Sequence, residues 1–145
     1  MADRPTSIAD AVTTSVRVEA PPDVVFEFFV DPEKLMRWMG RDVDIDPRPG
    51  GRFWLDINGS DKASGEYVVV DPPRAVAFSW GWEGSDLVPP GSSEVSLTLI
   101  GDGGATIVEL THSGLPVGQD VEHLKGWTHF LGRLQAAGQR QAPEV

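Results

Sequence analysis

The sequence predicts an α+β domain: a curved antiparallel sheet of about six to seven strands wrapped around one long C-terminal helix, with two short helices after the first strand. Three observations carry that prediction. Apolar residues recur at helical spacing near residues 22–39 and 119–137, and alternate almost everywhere between those segments. Most alternating segments have a single apolar face, which suits an antiparallel sheet covered on one side. The 16 Gly and 12 Pro are spread as turn punctuation instead of forming a low-complexity block.

Residues 1–11 are expected to form a flexible N-terminal arm, 12–138 the domain and 139–145 a C-terminal tail. Residues 13–20 alternate as a first strand, with Val16 and Val18 on one face. Pro22 suits the first position of a helix and Asp23 favours its positive end. Asp31-Pro32 stops that helix and opens a second over 33–39, which Gly40 closes and which turns Leu35, Trp38 and Met39 inward. From 42 to 46 the period becomes 2, and Pro49-Gly50-Gly51 reverses the chain. Residues 52–57 set Phe53, Leu55 and Ile57 against Arg52, Trp54 and Asp56, and Asn58-Gly59 is a turn pair. Strands follow at 65–70 and 75–82, the latter with Val76, Phe78 and Trp80 on one face. A polar loop covers 84–92, and 94–100 with 105–112 makes a hairpin around Gly101-Asp102-Gly103-Gly104. In the last helix Val121, Leu124, Trp127, Leu131 and Leu134 form one stripe expected to face the sheet. Gly126 and Gly132 each cost that helix roughly 1 kcal/mol relative to Ala. Close packing on the sheet, or room for a ligand, would offset the loss.

A chain of 145 residues is long enough to bury one core without staples. The absence of cysteine removes disulfides, thiolate nucleophiles and Cys-ligated metals. No segment approaches the roughly 18 apolar residues of a membrane span, and the N-terminus has no apolar signal region, so a cytoplasmic location is expected without membrane insertion. With 22 acids against 12 bases the formal net charge is −10, which disfavours nucleic acid and anionic membranes as partners.

Catalytic patterns are sparse. Asp42, Asp44 and Asp46 have the spacing that opens a calcium loop, but Pro47 and Phe53 stand where that loop needs Gly and Glu. On a strand these carboxylates lie about 7 Å apart, so a solvated face is expected and no metal is assigned. His123 and His129 are six residues apart on the helix, unsuited to joint ligation. No Gly-x-Ser-x-Gly elbow is present, and Ser113 lies on the strand face opposite His112. Glu66 and Glu109 are the mid-strand acids, either of which would be a general base if buried; the outward orientation is favoured. His112 shares the face of Thr106, Val108 and Leu110. Trp54 points outward by parity, which suggests a partner surface or a homodimer.

In order along residues 13–138, Pro22-Asp23-Val24-Val25-Phe26, Trp38, Pro49-Gly50-Gly51-Arg52-Phe53, Gly65-Glu66-Tyr67, Asp71-Pro72-Pro73-Arg74, Phe78-Ser79-Trp80, Thr111-His112-Ser113-Gly114 and Gly126-Trp127 give the chain a family likeness. It resembles the START-like, or Bet v 1-like (SRPBCC), superfamily, and within it the bacterial single-domain homologues of the activator of the heat-shock-protein-90 ATPase (AHSA1-like). The resemblance implies a helix-grip fold with an apolar cavity between sheet and helix. Trp38, Phe53, Leu55, Tyr67, Phe78, Trp80, Leu97, Leu110, His112, Trp127 and Leu131 are the residues expected to line it. It also implies three functions: binding of a small lipid-like or aromatic ligand, co-chaperone-like interaction with a chaperone ATPase, or a polyketide cyclase or hydrolase activity. No catalytic residue or cofactor is assigned.

Overall fold

The computed structural model describes residues 8–141. Strand β1 (Val12–Val18) is followed by helix α1 (Pro22–Phe26), a 3-10 turn (Glu27–Phe29) and helix α2 (Pro32–Leu35). Strands β2 (Asp42–Ile45), β3 (Arg52–Asp56), β4 (Lys62–Asp71), β5 (Ala75–Trp80), β6 (Ser93–Asp102) and β7 (Ala105–Ser113) precede helix α3 (Asp120–Gln141). The seven strands form one antiparallel sheet in the order β1-β7-β6-β5-β4-β3-β2. This is the helix-grip layout. The chain runs as a meander from β2 to β7, and β1 joins at the β7 edge. Gly103 and Gly104 adopt φ values of 59° and 90°, as the two-residue turn between β6 and β7 requires.

Strand β4 starts at Lys62 instead of 65 and β5 ends at Trp80 instead of 82, and two helix ends also move. Helix α2 ends at Leu35 instead of 39, because Arg37 and Trp38 donate to the carbonyls of Lys34 and Leu35 at 3.1 and 3.2 Å, a tighter i→i+3 turn. That turn brings Trp38 Nε1 within 2.9 Å of the Phe28 carbonyl. Helix α3 extends to Gln141, past the expected start of a tail at 139. The expected arm and tail lie partly outside the described residues, at 1–7 and 142–145. Ile8 and Ala9 are attached: Ile8 bridges Pro116, and the Ala9 amide donates to the Leu115 carbonyl at 2.8 Å.

The space between sheet and helix is filled. Phe53 and Phe78 stack at 3.9 Å, and Tyr67 meets Phe53 edge-on at 5.4 Å. Leu55, Leu97, Val108, Leu110, Leu131 and Leu134 close the remainder. Buried polar tips are spent on backbone: the Tyr67 hydroxyl donates to the Phe29 carbonyl at 2.7 Å and Thr106 Oγ1 to the Ala20 carbonyl at 2.8 Å. Burial also pushes the Tyr67 phenol pKa up.

The stripe of α3 is narrower than predicted. Trp127, Leu131, Leu134 and Ala137 are buried, whereas Val121 and Leu124 are exposed. The first turns of the helix set Val121 and Leu124 beside an open groove along residues 10–13, at the start of β1, while His123 packs 5.2 Å from His112 of β7. Neither Gly126 nor Gly132 packs closely, since a Cβ on either meets nothing within 4 Å. The close approach is at Gly138, where a Cβ would stand 2.7 Å from Val18 Cγ1. Val18 is fully buried and β-branched, so it cannot easily give way. Gly132→Ala should therefore stabilise the protein by up to about 1 kcal/mol. Gly138→Ala should destabilise it by about 1–3 kcal/mol despite the better helix propensity. Urea unfolding of the two variants checks the opposite signs.

Candidate functional site

The cavity expected inside the grip lies instead at one end of it, as an open cleft of about 350 Å³. Its walls are Trp80 at the end of β5, Trp82 just beyond, Asp61 before β4, and Glu122, His123, Gly126, Trp127 and Phe130 on the first half of α3. Chain geometry assembles these groups. Trp82 continues the alternation of Phe78 and Trp80 past the strand end, held by a bridge between Ala63 and Trp82. Its amide donates to Val88 O at 2.7 Å, which folds the 84–92 loop back beneath it. On α3, His123, Trp127 and Phe130 are spaced by four and three residues, so they share one face. Gly126 beside them leaves the gap.

The rings form a continuous wall. Trp80 lies 5.0 Å from Trp127 and 5.3 Å from Trp82, and Trp127 lies 6.3 Å from Phe130. Of the three indole N–H groups, two are spent on histidines. Trp127 Nε1 donates to His112 Nδ1 at 2.9 Å, and Trp82 Nε1 donates to His123 Nε2 at 3.0 Å. Trp80 Nε1 is buried without an acceptor among the described residues.

Those bonds decide the tautomers. An indole nitrogen only donates, so the imidazole nitrogen facing it must be bare. His112 therefore carries its proton on Nε2 and donates to Ser93 Oγ at 2.8 Å, and Ser93 Oγ donates to the Trp80 carbonyl at 2.8 Å. His123 carries its proton on Nδ1 and donates to the Gln119 carbonyl at 2.6 Å. The resulting relay, Trp127 to His112 to Ser93 to Trp80, ties α3 to β7, β6 and β5 in turn. His112 is fully buried. Desolvation, and secondarily the charge of the neighbouring His123, lower its pKa to about 3. With both nitrogens bonded and the neutral form favoured, His112 is a structural group and not a general base near neutral pH.

The sequence-predicted site residues divide accordingly. Trp80 and Trp127 line the cleft. His112 sits behind Trp127, and Phe53, Tyr67 and Phe78 continue the aromatic cluster inward from Trp80. Leu55, Leu97, Leu110 and Leu131 are core, and Trp38 packs edge-on against Phe29 at 5.5 Å, in the same core. Glu66 and Glu109 are exposed on the outer face. Trp54 also lies on that face, but it is half-buried and its Nε1 donates to Glu83 at 3.0 Å. Its ring is thus partly occupied within the chain, which weakens it as a partner surface. Asp44 and Asp46 are paired with Arg52 and Arg48 at 3.0 and 2.8 Å. Trp82, His123 and Phe130 were not anticipated, although the extended alternation of β5 and the spacing on α3 would have pointed to them.

The pKa of His112 makes a stability prediction. In the unfolded chain the imidazole takes a proton near its ordinary value of 6.5, but the folded protein resists doing so down to about 3. This contribution is complete above pH 6.5 and is lost as pH falls through that window, at up to about 1.4 kcal/mol per pH unit. Chemical denaturation at pH 7, 6, 5 and 4 should show wild type losing stability faster than His112→Gln. Parallel pH profiles would refute the assignment.

The model of a family described as Activator of Hsp90 ATPase homolog 1-like protein matches residues 19–139. No curated protein matches. Among solved structures, an AHSA1-like protein from Rhizobium etli is 42% identical, over 94% of this chain and 86% of that one, with a TM-score of 0.72. DynU16, a protein of the dynemicin biosynthetic locus, is 29% identical over 93% of this chain with a TM-score of 0.80; the chain spans only 49% of DynU16. The Aha1 dimer from Colwellia psychrerythraea shares the fold, at 18% identity over 90% of this chain and 97% of that one and a TM-score of 0.78.

Proposed function

The chain belongs to the Activator of Hsp90 ATPase homolog 1-like family, and from that premise we propose that it binds a small aromatic ligand in the cleft between the end of β5 and α3. The observation that carries this reading is the wall of Trp80, Trp82, Trp127 and Phe130 around a volume of about 350 Å³ with Gly126 at its back. That volume falls in the ordinary range for small-molecule sites. Stacking on indole and phenyl faces rewards a planar ring more than a flexible acyl chain. Packed rings and aliphatic side chains occupy the interior of the grip, which suits a compact ligand at its end better than a long tail inside it. Within the earlier choice of lipid-like or aromatic ligand, the aromatic one is favoured.

The neutral fluorescent probe N-phenyl-1-naphthylamine tests the reading. Titration should give saturable one-site binding and quench tryptophan emission. Gly126→Leu places a side chain where a Cβ meets open space, so it should keep the fold while weakening binding by about tenfold or more, roughly 1.4 kcal/mol. Equal binding by wild type and Gly126→Leu would refute the site.

A second reading, a co-chaperone-like or self-associating domain, is favoured by Val117, Val121 and Leu124, which stand exposed around the start of α3. The family's description supports it. Sedimentation of wild type and Val121→Asp, with ATPase assays of an Hsp90-type chaperone, separates it from ligand binding.

A further inference from the structure

We propose that the aromatic occupant of the cleft is a cation, an aryl ammonium, in preference to a neutral ring or a carboxylate; this rests on the reading of the cleft as an aromatic binding site. Two independent features of the cleft agree on it. The first is its walls. Three indoles and one phenyl line the space as one continuous wall, with neighbouring rings in contact at centroid distances of 5.0 to 6.3 Å. An ammonium seated against that wall meets more than one ring, and the ring quadrupole attracts a cation within roughly 6 Å.

The second is its charge. The carboxylates that line the cleft are Asp61, just before β4, and Glu122, on α3, and neither Lys nor Arg lines it. Asp61 accepts from the neutral Asn58 Nδ2 at 2.9 Å, which orients the carboxylate without cancelling it. Glu122 meets Lys125 only at 3.9 Å, with both side chains about three-quarters exposed, so that pair is weak. An anionic ligand would enter against two carboxylates and meet no cationic partner. An ammonium gains from both the rings and the rim.

Phenyltrimethylammonium and tert-butylbenzene have nearly the same shape and differ by one charge, and benzoate carries the opposite charge. Their affinities are read from the indole N–H resonances of Trp80, Trp82 and Trp127 in the intact protein. Phenyltrimethylammonium should bind about tenfold more tightly than tert-butylbenzene. The preference should fall in the double variant Asp61→Asn/Glu122→Gln, which alters two exposed side chains and whose melting temperature verifies the fold. Equal affinity for the cation and the neutral isostere would overturn the charge preference while leaving the cleft as an aromatic site. So would tighter binding of benzoate. A preference that survives in the double variant would overturn the role of the carboxylates. Failure of all three probes to shift the indole resonances would overturn the binding site itself.

Discussion

The hydrogen bond from the Trp127 indole to His112 Nδ1 joins α3 to the sheet by a fully buried directional contact, where Gln135 and Gln139 bond the backbone of Arg17 and Glu19 only at the exposed margin. Apolar burial has no direction, and a stripe such as Trp127, Leu131, Leu134 and Ala137 could dock on a curved sheet in more than one position. A bare imidazole nitrogen accepts from one donor at one distance. Because His112 also donates to Ser93, and Ser93 to the Trp80 carbonyl, the helix position is referred to three strands. Replacing either partner strands a buried polar group, which costs about 1–3 kcal/mol. The relay therefore sets where Trp127 stands relative to Trp80, and that spacing defines the cleft.

The grip is closed in its middle and open at one end for reasons of volume. Phe53, Tyr67 and Phe78 fill the curved interior, and the small turn formed by α1, the 3-10 segment and α2 seals the core through Trp38 and Phe29. At the other end α3 meets the sheet through His123 and His112, whose rings lie 5.2 Å apart. Val121 and Leu124 are exposed beside the start of β1, and at Gly126 no side chain fills the gap toward Trp80 and Trp82. The cleft is the space left beside Gly126 between the end of β5 and α3.

Much of this was legible in the sequence. The switch in period from 3.6 to 2 and back located every element, and the alternation of Thr106, Val108, Leu110 and His112 placed the histidine inward. What escaped was of two kinds. Spacing on a helix says which residues share a face, not how closely the sheet approaches each of them, and Val121 and Leu124 share the spacing of the stripe yet stand exposed beside the start of β1. Helix pattern cannot tell a glycine at a close approach from one beside a gap either. Gly126 and Gly132 stand beside open space, and Gly138 is the one against Val18. Trp82 lies past the end of its strand, and His123 pairs with an indole that is 41 residues away in sequence, so neither is marked by local pattern.

Among the described residues no helix is long and apolar enough to cross a membrane, and the acidic net charge of −10 agrees with a cleft that carries carboxylates and no cation. The position of α3 and the shape of the cleft depend on the neutral, Nε2-protonated state of His112 as acceptor for Trp127. Nitrogen-15 NMR of the imidazoles measures it directly. It should show His112 Nδ1 unprotonated and coupled through its hydrogen bond to the Trp127 N–H, with no titration from pH 8 to pH 5. A proton on Nδ1, or a His112 midpoint between pH 5 and 7, would contradict it.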